Sequence, residues 1–171
     1  MFIVLAGLFS ELSHDAVERF WQPFLREAGL SPLLLGLAGS VYAGLTLPTL
    51  LLVSRVRSGS LSLLINLNGL ALVLVAGVLL SRGLVAWLLV VAILSLKPLR
   101  HVLAMDYLNR RIPAERRATL MSFYGLAGAS GEVLGGLGYG LTAYLLGLKA
   151  TFLAGALFLV PAIALCGALK V

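Results

Sequence analysis

Charged residues are scarce in this chain. Asp, Glu, Lys and Arg together make up 12% of the 171 residues, whereas 60% are apolar. Because a soluble domain carries about a quarter charged residues, this composition cannot cover a water-exposed surface. We therefore expect an all-α integral membrane protein that contacts the lipid bilayer, rather than a soluble helical domain.

Cysteine is almost absent as well. With Cys166 as the single cysteine, neither an intrachain disulfide framework nor a paired-cysteine metal site can form. The chain also lacks the Walker, HExxH and GxSxG motifs. His14 stands at metal-ligand spacing from Glu11 and Glu18, but the first helix has no second histidine and no cysteine to complete a site. The sequence therefore predicts no metal, no cofactor and no enzyme, and its apolar start does not resemble a cleavable signal peptide.

The chain does contain long apolar segments with short connections between them. Their lengths predict six membrane spans in a single domain 1–171, at residues 2–28, 33–53, 61–80, 84–108, 118–146 and 150–169. Glycines in the second and fifth spans predict close helix packing, because a small residue lets two helix backbones approach. The fold class is therefore a six-helix membrane bundle.

Basic residues outnumber acidic ones by 13 to 7. They lie in short connections between apolar runs, so we expect no nucleic-acid contact. Arg55 and Arg57 follow the second span, and six of the basic residues lie within 97–117. The positive-inside rule places these two connections, and hence both termini, in the cytoplasm. The excess of arginine over lysine, with much Leu, Ala and Gly, favours a bacterial inner membrane.

Four ionisable residues share one face of the first helix, at i, i+3, i+4 and i+7: Glu11, His14, Asp15 and Glu18. Ionisable groups inside a span are costly and usually mark a solute or proton pathway. The alternative is that this part of the helix lies near the interface, where Arg19 or a connection neutralises the charges.

Two other spans also carry polar candidates for the pathway. Glu132 stands among glycine, alanine and serine in the fifth span, so it faces either a cavity or a closely packed neighbouring helix. Asn66 and Asn68 are two residues apart and cannot share a helix face. At most one of them points into a cavity, and Asn66 is the candidate.

The arginine-rich interval around Asp106 is a candidate cytoplasmic gate. Asp106 lies among basic residues with which it can form ion pairs, namely Arg100, Arg110, Arg111, Arg116 and Arg117. The alternative is a surface ion pair worth less than about 1 kcal/mol.

The interval Asp106-Tyr-Leu-Asn-Arg-Arg-Ile-Pro-Ala-Glu-Arg-Arg-Ala-Thr-Leu-Met-Ser-Phe123 resembles the connection between the tenth and eleventh helices of transporters of the major facilitator superfamily (MFS). The glycine-rich fifth span and Thr151-Phe152 are similar to the last two helices of that family. Residues 24–32, with Gly36, resemble its turn between helices seven and eight. The second connection keeps Arg55 and Arg57 of the family signature but has Ser54 in place of its aspartate, which favours a C-terminal half.

This resemblance implies a C-terminal six-helix half of a permease that works by alternating access between two halves. It implies a small-molecule substrate, with protons as a candidate coupling ion, and a second six-helix half on the same or another chain. Asp15, Glu18 and Glu132, with His14, are then the candidate proton carriers. Two alternatives stay open: a non-transporting membrane partner or truncated remnant, and a membrane-embedded enzyme that uses Glu11, His14 and Asp15.

Overall fold

The computed structural model describes residues 2–55 and 61–168. Within these ranges the chain is helical apart from short turns and contains no strand, which confirms the all-α class. The helices are α1 Phe2–Glu27, α2 Pro32–Arg55, α3 Leu61–Leu80, α4 Gly83–Arg111, α5 Ala114–Leu146, α6 Leu148–Leu157 and α7 Leu159–Ala168.

Three described helical segments are long and apolar enough to cross a membrane: Leu61–Leu80, Gly83–Arg111 and Leu148–Ala168. A shorter apolar stretch, Pro32–Pro48, lies in α2. The other two predicted spans, α1 and α5, are long helices that do not meet these criteria; α1 carries the charged face, and α5 carries Glu132 among many glycines. The six predicted segments are thus all helical, and three of them meet the criteria of length and composition for a span.

The last predicted span contains a break in its helix. Phe158 separates α6 from α7, and its N–H bonds to the carbonyl of Gly155 at 3.1 Å, a tighter i→i−3 turn. Pro161 explains the break, because proline has no N–H for the carbonyl of Leu157 and its ring crowds that oxygen. The two helices continue one another as a single apolar segment.

The arginine-rich interval differs from the predicted loop. Helix α4 continues to Arg111 and α5 begins at Ala114, so the connection is only Ile112 and Pro113. Pro113 stops α4 because the residue before a proline avoids the helical conformation. The arginines therefore lie at the adjoining ends of two helices rather than in an extended loop.

Helix α1 occupies the centre of the bundle. It packs against α4, α5, α6 and α7, and every residue from Ser13 to Val17 is buried. Close approach to α6 depends on Gly155, where an added Cβ would lie 2.5 Å from the Cβ of Ala16. At one end of the bundle, Phe24 stacks on Phe152 with ring centroids 4.6 Å apart. Of the charged face of α1, His14 and Asp15 therefore lie inside the protein, whereas Glu18 is exposed.

Candidate functional site

A groove of about 450 Å³ opens between α1, α4 and α5. This volume lies within the range of about 300–1,000 Å³ typical of small-molecule sites. One part of its lining is charged or titratable, with Glu11, Lys97, His101 and Glu132. The rest is apolar or small: Met105, Met121, Tyr124, Gly125, Gly128 and Ala129. The groove can therefore contact both a charged group and an apolar body of a solute.

Lys97 of α4 joins two carboxylates of α1. Its Nζ donates to Oε2 of Glu18 and lies 4.0 Å from Oε2 of Glu11. The other oxygen of Glu11 lies 3.8 Å from Nδ1 of His101, one turn after Lys97. Because Glu11 and Glu18 are two turns apart on one face of α1, a single lysine lies between them. This charge network holds α1 against α4 beside the groove.

Asp15 faces α5 instead. Arg19 Nε donates to its Oδ1 at 2.6 Å, and Arg19 Nη2 donates to the main-chain carbonyl of Glu132 at 3.2 Å. A second link joins the same helices, since the hydroxyl of Tyr139 donates to the carbonyl of Leu12 at 2.9 Å. The carboxylate of Asp15 is thus engaged in the α1–α5 contact and does not line the groove.

The remaining predicted pathway residues lie in different surroundings. His14 is 1% exposed inside the bundle and does not line the groove. Glu132 is exposed at the groove, and no ion pair to its carboxylate occurs among residues 2–55 and 61–168. The structure therefore brings Glu11 and Glu132 to one opening, with Glu18 at Lys97 beside it.

Of the two asparagines on α3, Asn68 rather than Asn66 reaches the interior. Asn68 is 4% exposed and its Oδ1 accepts a hydrogen bond from the Ser10 hydroxyl at 3.2 Å. Asn66 is exposed. The two-residue spacing separates them, as predicted, but leaves Asn66 on the outside of the bundle.

Arg100 does not belong to the exposed arginine set that was expected to form a gate. It is 4% exposed, and its Nη2 donates to the carbonyl of Ser10 at 3.1 Å and to the hydroxyl of the same residue at 2.5 Å. It lies three turns before Arg111, within the packed part of α4, which explains the difference. Arg100 is an interior cation between α4 and α1.

The exposed arginines make local contacts. Arg110 Nε donates to both carboxylate oxygens of Asp106 at 3.1 Å, one helical turn away on α4. Arg111 stacks over the ring of Tyr107 at 4.6 Å from its centroid. Arg116 and Arg117 are exposed at the start of α5, while Arg57 and the side chain of Arg55 lie outside the described part of the chain.

Two lining residues, Lys97 and His101, were not expected at the site. Lys97 counted only as part of the basic interval, although its four-residue spacing from His101 places both on one face of α4. That spacing was the sequence signal from which the two residues could have been predicted at the site. In the part of the chain that the structure describes, no group of three or more His, Cys, Asp or Glu side chains could hold a metal ion.

Comparison with known proteins identifies one informative relative. The chain is 30% identical over 165 residues to an uncharacterised MFS-type transporter, YxaM, of Bacillus subtilis (strain 168). The match covers 93% of this chain but 41% of the relative, so the chain spans about two-fifths of that protein's length. No profile of a known protein family matches the chain, and no solved structure matches it significantly. The chain is thus similar to part of an MFS-type transporter, and three of its described helical segments are long and apolar enough to cross a membrane.

Proposed function

We propose that this chain forms the C-terminal six-helix half of an MFS-type secondary transporter, which moves a small solute by alternating access. The observation that carries the proposal is the convergence of charged side chains from α1, α4 and α5 on one groove of about 450 Å³. Charges in a membrane bundle require a partner or a water-filled space. A solute pathway supplies that space, and the likeness to a transporter supports it.

A second six-helix half would form the facing wall of the pathway. The groove has α1, α4 and α5 as walls and is open on its remaining side. In this family two halves rock about a central site, so one half alone forms only one wall of that site. The greater length of the Bacillus relative agrees with a second half on the same chain, and a separate chain would serve equally well.

Glu132 is the proposed binding point for a proton or for a cationic group of the solute. It is the lining carboxylate that has no ion pair among the described residues, whereas Glu11 lies between Lys97 and His101. The other two predicted carriers are engaged, Glu18 by Lys97 and Asp15 by Arg19. Coupling by Glu132 therefore requires no existing contact to break.

We place the protein in a bacterial inner membrane with both termini in the cytoplasm, because the basic residues cluster at the α4–α5 junction. The Asp106–Arg110 pair and the neighbouring Arg111, Arg116 and Arg117 would then lie at the cytoplasmic mouth. Single cysteines at Ser58 and Ser81, in a Cys166→Ala background, test this orientation. Labelling of both from the same side of the membrane would contradict it.

Cysteine accessibility in the whole natural protein tests the pathway without knowledge of the solute. Ala129→Cys lies in the groove, whereas Leu134→Cys is exposed on a different face of α5, where lipid is expected. A membrane-impermeant maleimide should label position 129 but not position 134, again in the Cys166→Ala background. Equal labelling of the two positions would show that the groove is not a water-filled pathway.

A further inference from the structure

A second, much smaller cavity lies inside the bundle next to the groove. Its volume is about 20 Å³, which is room for one water-sized particle. Glu11, His101 and Tyr124 line both spaces, so they form the wall between them. Arg100 and Asn68 line only the inner cavity. The inner cavity therefore adjoins the groove but has polar lining residues of its own.

The guanidinium of Arg100 is incompletely paired at this cavity. Nη2 donates to Ser10, but Nε and Nη1 are buried and have no hydrogen-bond partner in residues 2–55 and 61–168. None of the ion pairs of these residues involves Arg100. A buried cation without a compensating partner is strongly unfavourable. The unpaired edge of Arg100 therefore calls for an acceptor, and a negatively charged acceptor is the strongest.

The other groups around the cavity are mainly donors. The amide oxygen of Asn68 is already bonded to Ser10, which leaves its amide N–H groups free. The Tyr124 hydroxyl and the Cys166 thiol add further donors. A water molecule could donate to the Glu11 carboxylate or to a hydroxyl oxygen, but it brings no charge, whereas an anion accepts from these donors and also neutralises the guanidinium. The chemistry of the lining favours an anion.

Glu11 is the one carboxylate in this lining, and its charge is directed toward the groove. Its two oxygens lie 3.8 Å from His101 Nδ1 and 4.0 Å from Lys97 Nζ. Both of these partners line the groove, and Lys97 does not line the inner cavity. Glu11 thus has its ion-pair partners on the groove side, and none of the ion pairs in the described part of the chain joins it to Arg100.

We propose that the inner cavity binds a single monatomic anion of the size of chloride, held by Arg100 Nε and Nη1, Asn68 and Tyr124. A space of about 20 Å³ suits a monatomic anion better than a carboxylate-bearing solute. The bound ion neutralises Arg100 inside the bundle and links α1, α3, α4 and α5, and the Glu11–His101 pair separates it from the groove. This site is distinct from the proposed solute pathway and does not require that the protein transports anything.

The test uses the purified whole natural protein in detergent, without any transport measurement. Its thermal unfolding is followed in sodium chloride and in sodium gluconate at equal ionic strength, since gluconate is too large for the cavity. We expect a saturable upward shift of the unfolding midpoint with chloride and none with gluconate. Binding of radioactive chloride should saturate at one ion per chain. Equal midpoints in the two salts, or absence of saturable binding, would overturn the proposal.

Two variants on α3 form a matched pair. Asn68→Asp places a fixed carboxylate beside Arg100 and should abolish the chloride-dependent shift while the protein stays folded. Asn66→Asp adds the same charge at an exposed position and should keep the shift. Arg100→Gln should also lose the shift, and if this variant does not fold, Asn68→Asp decides the matter. Retention of the full chloride response in Asn68→Asp would refute the site, whatever the outcome of transport experiments.

Discussion

Gly135 of α5 lies so close to α1 that an added Cβ atom would be 2.7 Å from Oδ2 of Asp15. Asp15 is itself fixed by Arg19 at 2.6 Å, and Arg19 reaches on to the main-chain carbonyl of Glu132. A missing side chain on α5 and an ion pair on α1 therefore set the distance between the two helices. That distance also sets the position of the groove, because Glu11 precedes Asp15 by one turn and Glu132 precedes Gly135 by one turn.

Gly135→Ala should weaken the α1–α5 contact. The added methyl group must displace the carboxylate of Asp15 or push the helices apart, and overpacking of this kind costs about 1–3 kcal/mol. The free energy of unfolding in mixed detergent micelles measures the effect. Gly138→Ala is the control, because a Cβ there meets no atom within 4 Å. Equal stability of the two variants would contradict this account of Gly135.

Lys97→Met should destabilise the contact between α1 and α4. It removes the cation that lies between Glu11 and Glu18, and we expect a loss of about 1–3 kcal/mol because a charged hydrogen-bond partner is removed from a half-buried site. Lys149→Met, at an exposed position in the first turn of α6, is the control and should change the unfolding free energy little. In the double variant Lys97→Met, Glu18→Gln, part of the loss should be recovered, since one unpaired carboxylate is gone. Additive losses would show that the Lys97–Glu18 contact is energetically unimportant.

Glu132→Gln should separate proton coupling from solute movement in the whole natural protein. Uptake driven by a pH gradient should fall at least tenfold, which corresponds to a rise of about 1.4 kcal/mol in the activation free energy. Counterflow without a gradient should continue. Uptake and counterflow are measured in proteoliposomes, with a solute that the unmodified protein is found to transport. Glu115→Gln, at the exposed start of α5, should leave both activities intact. Gradient-driven uptake by Glu132→Gln at the unmodified rate would assign coupling to other residues.

Arg117→Glu and Arg116→Glu should reduce the amount of correctly inserted protein more than Arg82→Glu does. The first two remove charge from the basic α4–α5 junction that sets orientation, whereas Arg82 is a single basic residue in the turn between α3 and α4. The yield of membrane protein after carbonate extraction gives the comparison. If all three variants insert equally well, the junction is a solvated basic surface without a role in orientation.

Particular residues show how far sequence reasoning reached at the site. The i, i+3, i+4, i+7 spacing on α1 correctly predicted a shared face, but the face divides between two neighbours, since Glu11 and Glu18 meet α4 and Asp15 meets α5. The spacing of Asn66 and Asn68 predicted that only one would face inward, yet the helix rotation that selects Asn68 depends on α1 and α4. Periodicity along one helix carries no information about which neighbour occupies each side.

The sequence by itself determined the all-α class, the helical segments and the residues that carry charge among apolar ones, because run length and local periodicity depend only on neighbours along the chain. It also determined the turn at Gly29, where a φ of 87° suits glycine and Pro32 begins the next helix. Only the tertiary structure decided that α1 is central, that Lys97 and His101 belong to the groove and that Arg100 is buried beside a cavity. These facts depend on contacts between residues about 80–130 positions apart, such as Lys97 with Glu18 and Tyr139 with Leu12, and such pairings arise only when the helices pack.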